Sequence, residues 1–116
     1  MLVGCRSEEI PGQVVLFSSK DLKEWKFETI LASNESGKIG TMWECPDFFQ
    51  LGSKRVLICS PQDMKAQKYE FHNGHNSVYF LGDYDEKTHT FVKELPHALD
   101  YGMDFQPAQE IGRAHV

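Results

Sequence analysis

The chain has 116 residues, of which 41% are hydrophobic and 25% are charged, so it is long enough for one domain at most and has a globular composition. Twelve Lys and Arg residues against seventeen Asp and Glu residues give a net charge of −5. With no basic run and no apolar stretch of membrane-spanning length, this composition argues against a nucleic-acid partner, a membrane partner and a disordered chain.

The apolar pattern along the chain is that of a β-protein. Short apolar runs and runs that alternate apolar with polar residues predict strands, because successive side chains of a strand point to opposite faces. Met1–Arg6 is typical of the end of a strand, and the further predicted strands are Val14–Ser18, Trp25–Ile30, Phe48–Leu51, Arg55–Ser60, Val78–Tyr84 and Thr90–Val92.

The segments between these strands predict turns and loops. Gly52–Lys54 predicts a three-residue hairpin connection, and Asp85–His89 predicts a longer one. Ser18–Glu24 predicts one helical turn opened by a Ser or Asp cap, and Ala32–Thr41 and Pro61–Gly74 predict polar loops. No sustained 3.6-residue apolar period occurs, so the fold class is all-β and antiparallel, with sandwich, barrel and propeller left open.

The three cysteines, Cys5, Cys45 and Cys59, form no Cys-x-x-Cys pair. An odd number without pairing favours a reducing compartment, the cytoplasm, over a disulfide scaffold. His72 and His75 have His-x-x-His spacing in a Gly- and Asn-rich turn, where a polar surface loop is preferred to a metal site. We therefore predict neither a metal nor another cofactor.

The segment with the clearest chemical character is Thr41–Gln50, in which Glu44 is surrounded by Trp43, Cys45 and Pro46. Pro46 biases Cys45 towards an extended conformation. Aromatic surroundings that limit water favour the neutral form of a carboxyl group, as a general acid requires. The competing interpretation is an acidic residue that faces solvent at the start of a strand.

Met42–Phe49 closely resembles the W-E-C-P-D motif of glycoside hydrolase family 32, the β-fructosidases. Further segments agree in the same order. Val15–Trp25 resembles the family's S-x-D-L-x-x-W hairpin, His75–Tyr84 the strand that follows, and Leu99–Phe105 the L-D-x-G-x-D-F segment. The resemblance covers nearly the whole chain.

This resemblance implies a five-bladed β-propeller, of which the chain holds about two blades, and retaining hydrolysis of a terminal β-fructofuranosyl bond. Glu44 is then the general acid/base, with Trp43, Cys45 and Asp47 supporting it, and Asp100 contacts sugar hydroxyls. The implied substrate is sucrose, sucrose 6-phosphate or another β-fructoside. The bacterial sucrose-6-phosphate hydrolases are the most similar type.

Two motifs of the family are missing from this chain. Retaining hydrolysis needs a second carboxylate, and neither the N-D-P-N-G motif that holds the nucleophile nor the R-D-P motif occurs. We expect residues 1–109 to be part of a catalytic propeller domain that is inactive alone, and residues 110–116 to be a non-native tail. The alternatives are a non-catalytic carbohydrate-binding propeller segment and another five-bladed glycosidase, such as an arabinan-degrading enzyme.

Overall fold

A computed structural model describes residues 1–102 and Phe105. This part of the chain contains eight β-strands and no helix, so it has no helix that could cross a membrane. The all-β prediction is confirmed. The strands are β1 Leu2–Cys5, β2 Gln13–Ser18, β3 Lys26–Ser33, β4 Trp43–Leu51, β5 Lys54–Pro61, β6 Val78–Asp85, β7 Thr90–Lys93 and β8 His97–Ala98.

The strands form two antiparallel sheets. The first sheet has the order β1-β2-β3, and the second has the order β4-β5-β6-β7. The short strand β8 also pairs with β6, at Val78 and Tyr79, whereas β7 pairs with Gly82–Asp85. Strands β7 and β8 therefore make up one outer edge together, and each sheet is a meander of the kind that forms a propeller blade.

The structure extends or shortens several predicted elements. Strand β4 begins at Trp43 rather than Phe48, so Glu44 lies within a strand. Leu51 pairs with Lys54, so the hairpin turn has the two residues Gly52 and Ser53 instead of three. Strand β8 has no counterpart among the predicted strands, since two residues carry no periodicity to detect.

The helical turn expected at Ser18–Glu24 is wrong. Ser19 Oγ accepts a hydrogen bond from the Leu22 amide at 2.8 Å, and Asp21 Oδ1 accepts one from the Lys23 amide at 2.9 Å, as capping side chains do. Leu22 has a φ of 61°, however, and this left-handed conformation ends the turn before a helix begins.

The two sheets pack face to face around Trp43. This side chain has no exposed surface, its ring centroid lies 5.2 Å from that of Phe80, and its Nε1 donates to the Ile39 carbonyl at 2.7 Å. The first sheet contributes Val14, Leu31 and Ala32 to the same cluster. Burying a Trp and a Phe provides several kcal/mol, roughly 2–3 for each large side chain, so this contact is a main source of cohesion between the sheets.

The loop after β3 is anchored by a buried side chain, although its sequence predicts a polar loop. Asn34 is 1% exposed. Its Nδ2 donates to the Gly40 carbonyl at 2.9 Å, and its Oδ1 accepts from the Ile39 amide at 3.2 Å. Because Ile39 in turn accepts the Trp43 ring hydrogen bond, Asn34 connects the loop to the core.

Replacing Gly12 by Ala tests the contact between the sheets. Gly12 has a φ of 71°, and a Cβ added there would lie 2.6 Å from Cδ1 of Trp43. We expect a loss of about 2–4 kcal/mol in unfolding free energy, from overpacking and backbone strain together. Urea unfolding followed by tryptophan fluorescence measures the loss.

The matched control is Gly37→Ala, since Gly37 has a φ of 65° but a Cβ there meets nothing within 4 Å. It should lose only the backbone contribution, about 1 kcal/mol. Equal losses in both variants would contradict the role given to the Trp43 contact.

Candidate active site at the start of strand β4

A β-bulge at the start of β4 sets the directions of the candidate side chains. Glu44 pairs with Ser60 and Asp47 pairs with Ile58, so Cys45 and Pro46 together oppose the single residue Cys59. Residues three apart on a regular strand point to opposite faces, but the extra residue reverses this alternation. The bulge therefore places Glu44 and Asp47 on the same face of the sheet.

The expected extended conformation of Cys45 is wrong. Its φ is 47°, in the left-handed region that residues other than glycine seldom adopt. Pro46 disfavours the right-handed helical region for the residue before it. The bulge then selects the left-handed conformation, which is the usual one for the first residue of a glycine-type bulge. Strained residues of this kind cluster at functional sites.

Trp43 and Glu44 point to opposite sides of β4. Trp43 is fully buried between the sheets, whereas Glu44 is exposed. The Trp43 ring therefore forms no wall beside the carboxylate. Trp43 instead packs the first residue of β4 against the first sheet. Of the other two residues expected to support Glu44, Cys45 is exposed and Asp47 is half-buried.

Asp100 lies at the same end of the second sheet as Glu44 but at its other edge. Glu44 is level with Ser60, and the Leu99 amide donates to the Ser77 carbonyl at 2.9 Å. Ser60 and Ser77 are joined through their hydroxyl oxygens, 3.3 Å apart. Three strand spacings of about 4.8 Å separate β4 from β8, so the backbones of these two strands lie about 14 Å apart.

The same end of the molecule contains a depression that the sequence did not indicate. It has a volume of about 650 Å³ and is lined by Arg6, Ser7, Glu8, Pro11 and Thr41. Thr41 precedes β4 by two residues and donates from Oγ1 to Asp63 Oδ2 at 2.8 Å. The signal that was available is modest: Arg6–Gly12 is a polar connection between two strands, of the kind that forms the rim of a blade.

The remaining titratable residues make no metal centre in the described part of the chain, where no three His, Cys, Asp or Glu side chains are grouped as ligands. His72 Nε2 lies 2.9 Å from the Lys68 carbonyl oxygen, and His75 is exposed. All three cysteines are unpaired, and burial raises the pKa of the Cys59 thiol far above its ordinary value.

Two meander sheets packed face to face, with exposed carboxylates at one end, define part of a β-propeller with a candidate glycosidase site. The profile of the glycosyl hydrolases family 32 N-terminal domain matches residues 1–114. The chain belongs to this family, and the expectation of a β-propeller fragment from it is confirmed.

Relatives and solved structures agree with this assignment. The chain is 39% identical over 120 residues to the sucrose-6-phosphate hydrolase of Bacillus subtilis, covering 96% of this chain and 24% of the relative. It is 36% identical over 111 residues to the raffinose invertase of Escherichia coli, covering 96% and 23%.

A Bombyx mori GH32 β-fructofuranosidase, solved as a variant in complex with sucrose, superposes with a TM-score of 0.84 at 36% identity. That match covers 90% of this chain and 22% of the enzyme. The chain thus spans about a quarter of the length of the proteins that it matches.

The thiols of Cys45 and Cys59 should differ in reactivity. We expect iodoacetamide to modify the exposed Cys45 in the folded chain and to leave Cys59 unmodified until the chain unfolds, since burial both covers Cys59 and raises its pKa. Mass spectrometry of peptides after timed labelling measures this, and 6 M urea is the control that should equalise the two. Early labelling of Cys59 would contradict the burial of β5.

Proposed function

We propose that the chain is part of a retaining β-fructofuranosidase, in which Glu44 is the general acid/base. The observation that carries this proposal is the exposed Glu44 at a strained bulge, at the end of a propeller sheet, within the segment that resembles the family's W-E-C-P-D motif. The family shown for the chain is one of glycosyl hydrolases.

In this mechanism Glu44 first donates a proton to the oxygen that leaves with the glucosyl group. It then accepts a proton from the water that hydrolyses the fructosyl-enzyme intermediate. Exposure at the end of the sheet suits both steps, because the side chain must reach a substrate that lies outside the sheet. The bulge residue Cys45 and the neighbouring Asp47 restrict where the carboxylate can go, and Trp43 anchors the strand.

Asp100 is proposed to accept hydrogen bonds from sugar hydroxyls near the leaving group. The substrates proposed are sucrose and sucrose 6-phosphate, following the resemblance and the relatives named for them. Three unpaired cysteines support a cytoplasmic location.

The nucleophile is proposed to lie in a segment of the longer enzyme that precedes this chain. The retaining mechanism needs the two carboxyl groups about 5–5.5 Å apart. Asp63 is a poor substitute, since it follows Glu44 in the chain, whereas the family's nucleophile motif precedes the acid/base, and its Oδ2 already accepts a hydrogen bond from Thr41. The nucleophile motif also separates this proposal from a non-catalytic carbohydrate-binding propeller, which would lack it.

Glu44→Gln in the complete enzyme tests the acid/base assignment. We expect kcat for sucrose to fall by about 10²–10⁴, because Gln cannot transfer the proton. A substrate with an acidic phenol as leaving group needs no such proton for the first step, so the rate of that step should fall far less. Steady-state and burst kinetics on both substrates measure the difference.

Glu24→Gln is the control, because Glu24 is an equally exposed carboxylate in the turn between β2 and β3. This variant should hydrolyse both substrates at the unchanged rate. An equal fall in the rates of hydrolysis of both substrates in Glu44→Gln would argue against Glu44 as the acid.

The chain of 116 residues is expected to show no hydrolysis of sucrose, since no covalent intermediate forms without the nucleophile. Glucose release over several days, at the highest soluble concentration, measures this with the complete enzyme as the positive control. Turnover by the chain that disappears in Glu44→Gln would reveal a substitute nucleophile and contradict the proposal that the nucleophile lies outside this chain.

A further inference from the structure

We propose that Glu70, together with Asn73, is a positioning residue that holds Asp100 in the place from which it contacts the sugar. Both residues belong to the loop between β5 and β6, and neither was a candidate from the sequence. This inference rests on the proposed function, because that function gives Asp100 its role.

The segment that carries Asp100 has little support from the sheet. Strand β8 contributes only His97 and Ala98, which pair with Tyr79 and Val78. The Leu99 amide adds one hydrogen bond to the Ser77 carbonyl at 2.9 Å. A ladder this short at a sheet edge does not fix the residues beyond it. Other contacts must therefore determine where Asp100 lies.

Two loop side chains provide contacts of this kind, in addition to the hydrogen bond of 3.4 Å that the Ser77 hydroxyl donates to the Phe105 carbonyl. Oε1 of Glu70 accepts hydrogen bonds from the Ala98 amide at 3.2 Å and from the Tyr101 hydroxyl at 3.1 Å. Nδ2 of Asn73 donates to the Gly102 carbonyl at 2.8 Å. These three hydrogen bonds, to Ala98, Tyr101 and Gly102, fall on both sides of Asp100 and restrain the segment that carries it. We call them the clamp.

Glu70 is itself held in place by the core. It forms two backbone hydrogen bonds of 2.9 Å with Gln67, which close a tight hairpin within the loop. The next residue, Phe71, is 4% exposed and belongs to the main hydrophobic cluster, and so does Met64 at the start of the loop. The core therefore determines where Glu70 lies, and the hydrogen bonds of Glu70 in turn determine where the edge of the sheet lies.

The clamp leaves Asp100 prepared for a ligand. Oδ2 of Asp100 accepts a hydrogen bond from the Gly102 amide at 2.6 Å, and a Cβ at Gly102 would lie 2.6 Å from the same oxygen. This bond fixes the rotation of the carboxylate. Oδ1 is then the oxygen available to accept hydrogen bonds from sugar hydroxyls.

Tyr101 provides a spectroscopic signal for the clamp. Its hydrogen bond to Glu70 raises the pKa of the phenol, and the negative charge of Glu70 raises it further, because both disfavour the phenolate. Glu70→Ala removes both causes, which are the two largest, so the pKa of Tyr101 should fall towards its ordinary value. Glu70→Gln retains an acceptor oxygen without the charge, so the pKa should fall only part of the way.

The first experiment uses the 116-residue chain and NMR spectroscopy. In Glu70→Ala we expect the Gly102 amide proton to move upfield and exchange faster, since its short bond to Asp100 is lost, and we expect Tyr101 to titrate at lower pH. Glu70→Gln should retain the Gly102 signal. Glu86→Ala, an exposed carboxylate on the β6–β7 turn, is the control. An unmoved Gly102 amide in Glu70→Ala overturns the inference.

The second experiment measures kcat and KM in the complete enzyme, with Asp100→Asn as the second member of a double-mutant cycle. Glu70→Ala should lower kcat/KM by about tenfold, chiefly through KM, and Glu70→Gln should restore most of it. In the Asp100→Asn background, Glu70→Ala should cost less than about twofold further, because it acts through Asp100.

Two outcomes separate this inference from the proposed function. Additive losses in the cycle overturn the positioning role, even where Asp100 matters for turnover. Full activity of Asp100→Asn overturns the role of Asp100 in the proposed function, and the Gly102 amide signal still decides whether Glu70 holds the segment.

Discussion

Two aromatic residues of β4, Trp43 and Phe48, face the same core although they lie five positions apart in the sequence. On a regular strand an odd separation places side chains on opposite faces. The conflict is resolved by one extra residue at Cys45 and Pro46, opposite Cys59. Because burying both rings stabilises the packing of the sheets by several kcal/mol, it offsets the roughly 1–3 kcal/mol of strain at Cys45.

The position of the candidate acid follows from the same constraint. Once Trp43 points inward, Glu44 must point outward, and the bulge brings Asp47 to the face of Glu44. The first sheet reinforces the arrangement, since Gly4 and Gly12 have no side chain where the Trp43 backbone and ring approach them. Close packing at these glycines fixes the start of β4 against β1, and with it the site.

The sequence predicted most of this fold and part of the site. Val14–Ser18 and Arg55–Ser60 each contain a continuous apolar run. Short runs of this kind form buried strands, and the structure has strands at both places. Local signals were less reliable where long-range contacts compete with them. Pro46 predicts an extended Cys45, but the pairing of β4 with β5 places a bulge there. The helical turn predicted from the cap at Asp21 fails for a local reason, the left-handed conformation of Leu22.

By itself the sequence determined the all-β class and most of the strands, and it showed the resemblance to the family's W-E-C-P-D motif around Glu44, since periodicity and motifs are local properties. Only the tertiary structure decided that Trp43 turns away from Glu44 and that Glu70, which lies far along the chain from Asp100, forms hydrogen bonds with Ala98 and Tyr101 beside it. Both depend on which strands pair and in which register. The burial of the whole core determines the strand pairing and its register, so neither can be predicted from a short stretch of residues.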